Sequence, residues 1–187
     1  ICLKNEINSI ITSKKCLTGT DRIAEVARKI KKSFYINVQG DEPICNPKDI
    51  KKIVSFAKKN PNLIVNGYTK IKNKDMFYSP NVPKVVFDKN ERLLYMSRAA
   101  IPSNKNFFFI KSWRQVCIYS FPYKSLKIFT SVKKKTTLES IEDLESNRFL
   151  ELGYQIKMLK MSNKSIPVDT KEDLVKVRKL VKNKLFI

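Results

Sequence analysis

The stretch Tyr-Ile-Asn-Val-Gln-Gly-Asp-Glu-Pro at residues 35–43 decides the fold class, because it joins a short apolar strand to an acidic loop. The strand is predicted over 34–38, and Asp41 and Glu42 follow it closely. In an open α/β sheet, ligands bind beyond the carboxyl ends of the strands, so an acid here is suited to hold a metal against a phosphate. The alternative is that one of the two carboxylates caps the helix that begins near Asn46. This stretch by itself favours the two interpretations about equally.

Helices and strands alternate along the rest of the chain. Amphipathic spacing predicts helices over 23–32, 48–59, 122–131, 138–152 and 171–182. Apolar runs predict further strands over 63–68, 84–88, 93–96, 115–121 and 156–161, and the second and third of these form a hairpin. Such alternation favours one domain in which helices cover a parallel sheet.

Length and composition are those of an ordinary globular protein. At 187 residues and 42% hydrophobic content, the chain suits a single domain with a sizeable core. No apolar run approaches the length of a membrane span, and the first residues do not form a signal peptide, so we expect a cytoplasmic protein with no membrane partner. The chain does not start with Met, and its opening is short and irregular for an α/β domain. We therefore expect that its beginning is missing.

The net charge of +21 is carried mostly by lysine, with 31 Lys against 7 Arg. These lysines are scattered over nearly every segment rather than gathered on one helix, which is typical of a solvated surface. A nucleic-acid partner is therefore the less favoured interpretation. An anionic small substrate would be served equally well by the same charge.

The residue types present restrict the chemistry. The chain has no histidine, which excludes Ser-His-Asp and Cys-His catalysis and every zinc site with a His ligand. Cys2, Cys16, Cys45 and Cys117 show no CxxC spacing and are expected to be reduced thiols. Any metal would have to be held by oxygen atoms, which favours Mg²⁺.

Three other stretches are candidates for function. The Gly-Thr-Asp-Arg run at 19–22 precedes the first helix, where Thr20 or Asp21 could cap the helix or the loop could bind an anion. Asp169 precedes the last helix, and a cap is again the structural alternative. Three adjacent aromatics at 107–109 are expected in an exposed loop, which is typical of a lid or a partner surface.

Five motifs occur together in an order that one family shares. They are Gly-Thr-Asp-Arg (19–22), Asn-Val-Gln-Gly-Asp-Glu-Pro (37–43), Ser-Arg-Ala-Ala-Ile-Pro (97–102), Ile-Tyr (118–119) and Val-Asp-Thr-Lys-Glu-Asp-Leu (168–174). With these motifs the chain resembles the CMP-Kdo synthetases, or 3-deoxy-manno-octulosonate cytidylyltransferases, from about residue 13 onward. One such motif is weakly specific, whereas five in order with compatible spacing are strongly specific.

The resemblance implies a fold and a reaction. The fold would be a three-layer α/β sandwich with a mostly parallel sheet, of the Rossmann-like nucleotidyltransferase type, and a protruding antiparallel hairpin segment. The reaction would join CMP from CTP to the anomeric hydroxyl of a 2-keto-3-deoxy sugar acid and release pyrophosphate, for surface polysaccharide and lipopolysaccharide synthesis. Mg²⁺ would be the cofactor, and the partner would be a second copy in a homodimer, for which the aromatic run at 107–109 would suit the interface.

Matching positions imply roles for individual residues. Asp41 and Asp169 would be the catalytic residues that bind Mg²⁺. The residues expected near the cytidine nucleotide are Gly19, Thr20, Arg22, Gln39 and Asp41. The residues expected around the sugar acid are Arg98, Gln115, Tyr119, Glu145 and Ser146. Among them, Arg98 would clamp the carboxylate of the acid.

The chain departs from the family in two ways. Gln115 stands where Kdo-specific members have His, and Ser146 stands where they have Gln, so a nonulosonate or another acid is an alternative acceptor. The family's first strand and phosphate-binding loop have no counterpart here, so we expect the single domain at 1–187 to be incomplete. A non-catalytic relative and, less favoured, a basic nucleic-acid-binding protein are the remaining alternatives.

Overall fold

The structure, a computed structural model, describes residues 1–168 and 170–184 of the chain. The strands in these residues are β1 (Phe34–Val38), β2 (Ile64–Lys70), β3 (Lys84–Phe87), β4 (Leu93–Ser97), β5 (Trp113–Pro122) and β6 (Ile156–Lys160). The α-helices are α1 (Gly19–Lys29), α2 (Pro47–Lys59), α3 (Lys74–Tyr78), α4 (Tyr123–Phe129), α5 (Thr137–Glu142), α6 (Ser146–Glu151) and α7 (Lys171–Lys184). Over the same residues, no helix has both the length and the apolar character needed to cross a membrane.

The sheet is arranged around β5, its longest strand. One edge of β5 pairs with β2, and the other edge pairs with β3 at its start and with β1 at its end. The antiparallel hairpin of β3 and β4 continues the sheet on one side, and β6 continues it beyond β2 on the other. The expected hairpin is therefore confirmed, and it forms one edge of the sheet.

The expectation of a mostly parallel sheet is not confirmed. In the described part of the chain, β2 and β6 are the one parallel pair of strands, whereas the other four pairs are antiparallel. The reason is that β5 lies in the middle of the sheet and runs against β1, β2 and β3. Apolar patterning predicts that a strand exists, but it does not encode the direction of the neighbouring strand.

Helices cover both faces of the sheet, as a three-layer sandwich requires. On one face, Ala27 of α1 and Phe129 of α4 belong to the same apolar cluster as Tyr119 of β5. On the other face, Ile53 of α2 packs with Ile118 of β5. Tyr119 and Ile118 fall in different clusters because successive residues of a strand point to opposite faces. The two clusters hold the layers together through burial of apolar surface.

The single helix predicted over 138–152 is wrong. The chain forms two short helices, α5 and α6, and between them Asp143 adopts a left-handed conformation with φ of 51°. Glu142 ties the end of α5 to β4, because it accepts hydrogen bonds from Ser97 Oγ at 2.6 Å and from the backbone N–H of Arg98 at 2.8 Å. Helix propensity is a weak preference, and tertiary hydrogen bonds of this kind override it.

The two halves of this split helix are joined by a buried ion pair. Arg148 of α6 is fully buried, and its Nε and Nη2 each donate to the carboxylate of Glu139 at 2.6 Å. The guanidinium lies 3.8 Å from the ring centre of Phe129 and contacts Asp21 of α1 at 3.4 Å. Glu139 also accepts a hydrogen bond from the backbone N–H of Thr136 as part of a capping box. One charged cluster therefore connects α1, α4, α5 and α6.

Candidate active site

A cavity of about 700 Å³ opens where the loops after β1, β2 and β6 meet the middle of β5. The loops that follow strands are the usual place for a ligand in an α/β sheet. The predicted site residues that line the cavity together are Gln39, Asp41, Arg98, Gln115, Tyr119 and Glu145. The predicted residues outside this lining are Gly19, Thr20, Arg22 and Ser146. Asp169 lies outside the described residues.

Asp41 lies exposed in the loop after β1, beside the segment that leads to the second predicted acid. The backbone N–H of Val168 donates to the carbonyl oxygen of Asp41 at 2.8 Å. Val168 directly precedes Asp169 in the sequence. The two stretches that carry the predicted metal ligands are therefore hydrogen-bonded to each other, although they are far apart along the chain.

The carboxylate of Asp41 suits a magnesium ion that is bound together with a nucleotide. Across residues 1–168 and 170–184, no three Asp, Glu, Cys or His side chains form a group that could hold a metal ion on its own. Mg²⁺ in nucleotide enzymes is usually held by one or two carboxylates and by phosphate oxygens rather than by a cage of protein ligands. An exposed aspartate in a large cavity matches that mode of binding.

Asn46 is the cap of α2, so neither Asp41 nor Glu42 caps this helix. The side chain of Asn46 accepts a hydrogen bond from the backbone N–H of Lys48 at 3.1 Å. Glu42 is instead buried, and its Oε1 accepts a hydrogen bond from the backbone N–H of Cys117 in β5 at 3.0 Å. Glu42 therefore anchors the acidic loop to β5, which leaves the neighbouring Asp41 facing the cavity.

The wall of the cavity also contains a buried arginine that the sequence analysis missed. Arg114 of β5 donates from Nη1 to the carbonyl of Gln115 at 3.1 Å and from Nη2 to the carbonyl of Ser165 at 3.0 Å. Within the described part of the chain, Arg114 Nε, Glu42 Oε2 and Ser165 Oγ are buried without a hydrogen-bond partner. The signal in the sequence was an arginine directly before the strand predicted over 115–121. The wall therefore contains donors and acceptors that the described part of the chain leaves unpaired.

The N-terminus of α1 is bound by Glu145 in this structure. The carboxylate of Glu145 accepts hydrogen bonds from the backbone N–H of Gly19 at 2.8 Å, from that of Thr20 at 2.9 Å and from the Thr20 hydroxyl. An anionic side chain is the natural partner of these free N–H groups and of the helix dipole. The expected role of Gly19 and Thr20 at the nucleotide stays a prediction. The expectation that Thr20 or Asp21 caps α1 is wrong, because the cap is Thr18, which accepts from the backbone N–H of Asp21.

Arg22 and Ser146 lie elsewhere in the fold. Arg22 donates to Thr12 Oγ1 at 2.7 Å and to the carbonyl of Ser13 at 3.2 Å, beside a second cavity next to β1. Ser146 is buried at the start of α6. Its neighbour Glu145 reaches the main cavity, but Ser146 does not line it. The expected roles of Arg22 and Ser146 at the substrates stay predictions.

Arg98 lines the cavity while its guanidinium group binds backbone carbonyls. It donates to the carbonyl of Glu142 at 2.6 Å, to that of Pro80 at 3.0 Å and to that of Asp143 at 3.3 Å. A guanidinium group has five N–H donors, so two of them are left for a ligand. The predicted clamp on a substrate carboxylate would have to use those two.

Lys84, at the start of β3, lies behind Arg98 and is fully buried. Its Nζ donates to the carbonyl of Ser79 at 2.8 Å and to that of Arg98 at 2.5 Å, which ties two parts of the cavity wall together. Desolvation by burial and the nearby charge of Arg98 lower the pKa of Lys84 to about 8. The folded protein therefore releases this proton at a lower pH than the unfolded chain does.

When the pH rises from about 7.5 to about 9.5, the free energy of unfolding of the native protein should increase. We expect this increase to exceed that of the Lys84→Met variant by about 2 kcal/mol. The sign is positive because the unfolded chain binds more protons than the folded protein in this range. Urea unfolding at the two pH values measures the gain. Lys52→Met is the control, since Lys52 also donates to a carbonyl, at 2.7 Å, but is exposed. The same pH dependence in the native protein and in Lys84→Met would contradict the assignment.

Gln115 and Tyr119 form a neutral polar face on β5. Gln115, Cys117 and Tyr119 are every second residue of β5, and all three line the cavity. Gln115 Nε2 donates to the hydroxyl of Tyr119 at 2.7 Å. Burial raises the pKa of Tyr119 well above its ordinary value, so its hydroxyl stays protonated at neutral pH. Neutral donors and acceptors of this kind suit the hydroxyl groups of a sugar.

Known proteins share both the sequence pattern and the fold of this chain. The family model described as cytidylyltransferase matches residues 1–176. The 3-deoxy-manno-octulosonate cytidylyltransferase of Fusobacterium nucleatum subsp. nucleatum is 38% identical over 176 residues, which cover 93% of this chain and 71% of that protein. The enzyme of the same name from Thermodesulfovibrio yellowstonii is 37% identical over 180 residues, which cover 89% of this chain and 70% of that protein.

A solved structure gives the same result at the level of the backbone. The structure of CMP:2-keto-3-deoxy-manno-octonic acid synthetase complexed with CTP matches with a TM-score of 0.87 and 28% sequence identity. The match covers 97% of this chain and 75% of that one. Sequence and backbone both place the chain in the same group of proteins. The chain therefore belongs to the cytidylyltransferase family.

Proposed function

We propose that this protein transfers CMP from CTP to Kdo, a 2-keto-3-deoxy sugar acid, and releases pyrophosphate. The names of its relatives and the CTP complex of the similar structure support this function. The observation that carries it is the meeting of six predicted site residues around one cavity, although they come from four separate segments of the chain. They are Gln39, Asp41, Arg98, Gln115, Tyr119 and Glu145.

The proposed reaction exchanges one bond at phosphorus for another. The oxygen of the sugar's anomeric hydroxyl forms a bond to the α-phosphorus of CTP and gives up its proton to solvent water. The bond between that phosphorus and the oxygen of the leaving pyrophosphate breaks. Gln115 and Tyr119 would orient the hydroxyls of the acid, and the two unused N–H groups of Arg98 would bind its carboxylate. Such positioning accounts for much of the catalysis in phosphoryl-type transfers.

Asp41 and Asp169 would hold Mg²⁺ in this enzyme. When bound, the ion neutralises negative charge on the phosphates of the nucleotide. The exposed carboxylate of Asp41 and the hydrogen bond from Val168 to the Asp41 backbone support this pairing of loops. A cytoplasmic role in lipopolysaccharide synthesis follows from the acceptor and belongs to the same proposal.

A second candidate function differs in the acceptor. Gln115 lies in the cavity wall with its amide directed at Tyr119, so the group that faces the sugar is a neutral amide rather than an imidazole. This supports a cytidylyltransferase for another acid, such as a nonulosonate, as the alternative. The nucleotide half of the reaction is the same in both cases.

Pyrophosphate release from CTP tests the function. This chain, alone and with any upstream sequence that its gene encodes, is incubated with CTP, Mg²⁺ and a panel of 2-keto-3-deoxy sugar acids. Turnover that is fastest with Kdo is expected. Turnover with a different acid alone would establish the second candidate. No release with any acid, from either form of the protein, would overturn both and favour a non-catalytic relative.

The loop that follows β4 is the proposed dimer surface. In this loop Phe107 is 72% exposed, Phe108 67% and Ile110 77%, whereas Phe109 packs on Phe77 with ring centres 5.1 Å apart. Adjacent exposed apolar side chains are costly in water, and a second copy of the chain would cover them. We therefore propose a homodimer that forms through this loop.

We expect Phe108→Asp to convert the dimer into a monomer, because it places a charge in an apolar interface. Size-exclusion chromatography with light scattering at micromolar concentration measures the mass. Ile141→Asp is the matched control, since Ile141 is 75% exposed but lies on α5. A native protein that is a monodisperse monomer at high micromolar concentration would contradict the proposal.

A further inference from the structure

Asn66 of β2 is fully buried at the point where the pairing of β2 with β5 shifts register. Its Nδ2 donates to the carbonyl of Val116 and to that of Ile118, both at 3.1 Å. Carbonyl oxygens only accept hydrogen bonds, so the nitrogen of the Asn66 amide has to face them. The orientation of this amide is therefore determined by the backbone of β5, and its Oδ1 points away from these carbonyls.

The amide of Gln115 is oriented in turn by Asn66. Asn66 Oδ1 can only accept, and Gln115 Nε2 donates to it at 3.2 Å. The same nitrogen donates to the hydroxyl of Tyr119 at 2.7 Å, so both N–H groups of Gln115 are used. Gln115 Oε1 receives no hydrogen bond from the described part of the chain. The Tyr119 hydroxyl oxygen accepts from Gln115, which leaves its own O–H free to donate.

We propose that Asn66 is a positioning residue. It determines which groups on the β5 wall of the cavity donate hydrogen bonds to the sugar acid and which accept them. Through Gln115 it makes the β5 face present one acceptor, Gln115 Oε1, and one donor, the Tyr119 hydroxyl. The ligand that fits is a sugar acid with a hydroxyl or ammonium donor opposite Gln115 and an acceptor oxygen opposite Tyr119. This inference rests on the proposed function, because it names the groups by which the same site selects its acceptor.

Two features of the chain argue against a role for Asn66 in folding alone. Asparagine is depleted in strands, and a fully buried amide is costly unless all its groups are paired. Asn66 is paired on both of its polar atoms, and one of these bonds runs to a residue that lines the cavity. The burial of Tyr119, which keeps its hydroxyl protonated, supports the donor role of that group.

The first test is made on the native protein and needs no turnover. In nuclear magnetic resonance spectra of ¹⁵N-labelled protein, the two side-chain N–H protons of Gln115 should exchange with water at least about tenfold more slowly than those of an exposed glutamine, because both are hydrogen-bonded. The Gln115→Glu variant identifies the resonances by their loss. Exchange as fast as that of an exposed side chain would overturn the inference, whatever the acceptor proves to be.

The second test is a double-mutant cycle on the KM for the sugar acid. Asn66→Leu and Gln115→Met are each expected to raise that KM about tenfold, the worth of one good hydrogen bond, and to leave the KM for CTP within about twofold. In the double variant, Asn66→Leu should add less than about twofold to the effect of Gln115→Met, because Asn66 acts through Gln115. Independent effects that multiply, or a parallel rise in the KM for CTP, would show a structural role instead.

The two tests separate failure of this inference from failure of the proposed function. Slow exchange at Gln115 without turnover of any acid would support the hydrogen bonds from Asn66 through Gln115 to Tyr119 and would reject Kdo as the ligand. Fast exchange with full turnover of Kdo would remove the role of Asn66 and keep the function. Thermal unfolding of Asn66→Leu checks that the variant is folded, since the change removes the side-chain donor to two backbone carbonyls of β5.

Discussion

Asp41→Asn is expected to lower the rate of pyrophosphate release roughly a thousandfold, which corresponds to about 4 kcal/mol of transition-state stabilisation. The change removes a negative charge that would hold Mg²⁺ and keeps the shape of the side chain. Asp41 is exposed, and its backbone bond to Val168 does not involve the carboxylate, so the fold should be unaffected. Steady-state kinetics with CTP and the best acid measure the rate, and thermal unfolding checks the fold.

A matched control separates the loss of a metal ligand from the loss of one negative charge near the substrates. Asp75 of α3 is also an exposed aspartate in the lining of the same cavity, so Asp75→Asn makes the same charge change near the same substrates. Its effect on the rate should stay within about tenfold, since long-range charge in an open cavity is screened. Binding of Mn²⁺ in the presence of CTP, followed by electron paramagnetic resonance, should weaken in Asp41→Asn alone. Equal losses in the two variants would contradict the assignment of Asp41.

Arg148→Met is expected to lower the free energy of unfolding by about 3–5 kcal/mol, because it leaves the buried carboxylate of Glu139 without its partner. Arg148 is fully buried, Glu139 is 1% exposed and two hydrogen bonds of 2.6 Å join them. In a chain of this size about 2–4 °C of melting temperature accompanies each kcal/mol, so the melting temperature should fall by about 10 °C. Thermal and urea unfolding measure the loss.

Two further variants show whether the buried charge is the cause. Adding Glu139→Gln to Arg148→Met removes the unpaired charge and keeps an acceptor for the Thr136 N–H, so it should recover about half of the loss or more. Arg92→Met breaks an exposed pair with Asp88 at the same N–O distance of 2.6 Å and should cost about 1 kcal/mol or less. A double variant no more stable than Arg148→Met alone would mean that lost packing, rather than the unpaired charge, dominates.

Local patterns were sufficient to predict most elements, whereas the resemblance of five motifs to a known family predicted which residues meet at one site. The strand at 34–38 has the predicted bounds, and Asp41 faces the cavity as expected from its place at the end of that strand. The family resemblance implied that Arg98 and Gln115 share one site, and both line the cavity, although Arg98 follows β4 and Gln115 lies in β5. The elements and the place of Asp41 depend on periodicity and on the ends of strands, which neighbouring residues encode.

The features that could not be predicted depend on contacts between distant segments. The break at Asp143 depends on the hydrogen bonds that Glu142 accepts from Ser97 and Arg98. The binding of Glu145 to the N-terminus of α1 joins residues that are over a hundred positions apart. The antiparallel course of β5 depends on its neighbours in the sheet. The orientation of Gln115 depends on Asn66 in another strand. No local window of sequence contains both partners of any of these contacts.

The hydrogen bond from Val168 to Asp41 has a consequence for the order in which the protein folds. It joins residues separated by most of the chain, so the loop that it closes is among the longest in the molecule. Closing a long loop costs conformational entropy that is recovered only once the intervening segments are in place. The loop that contains Asp41 and the segment that contains Val168 should therefore meet late in folding, after the sheet has formed. Recovery of activity after refolding would then report completion of the fold rather than burial of its core.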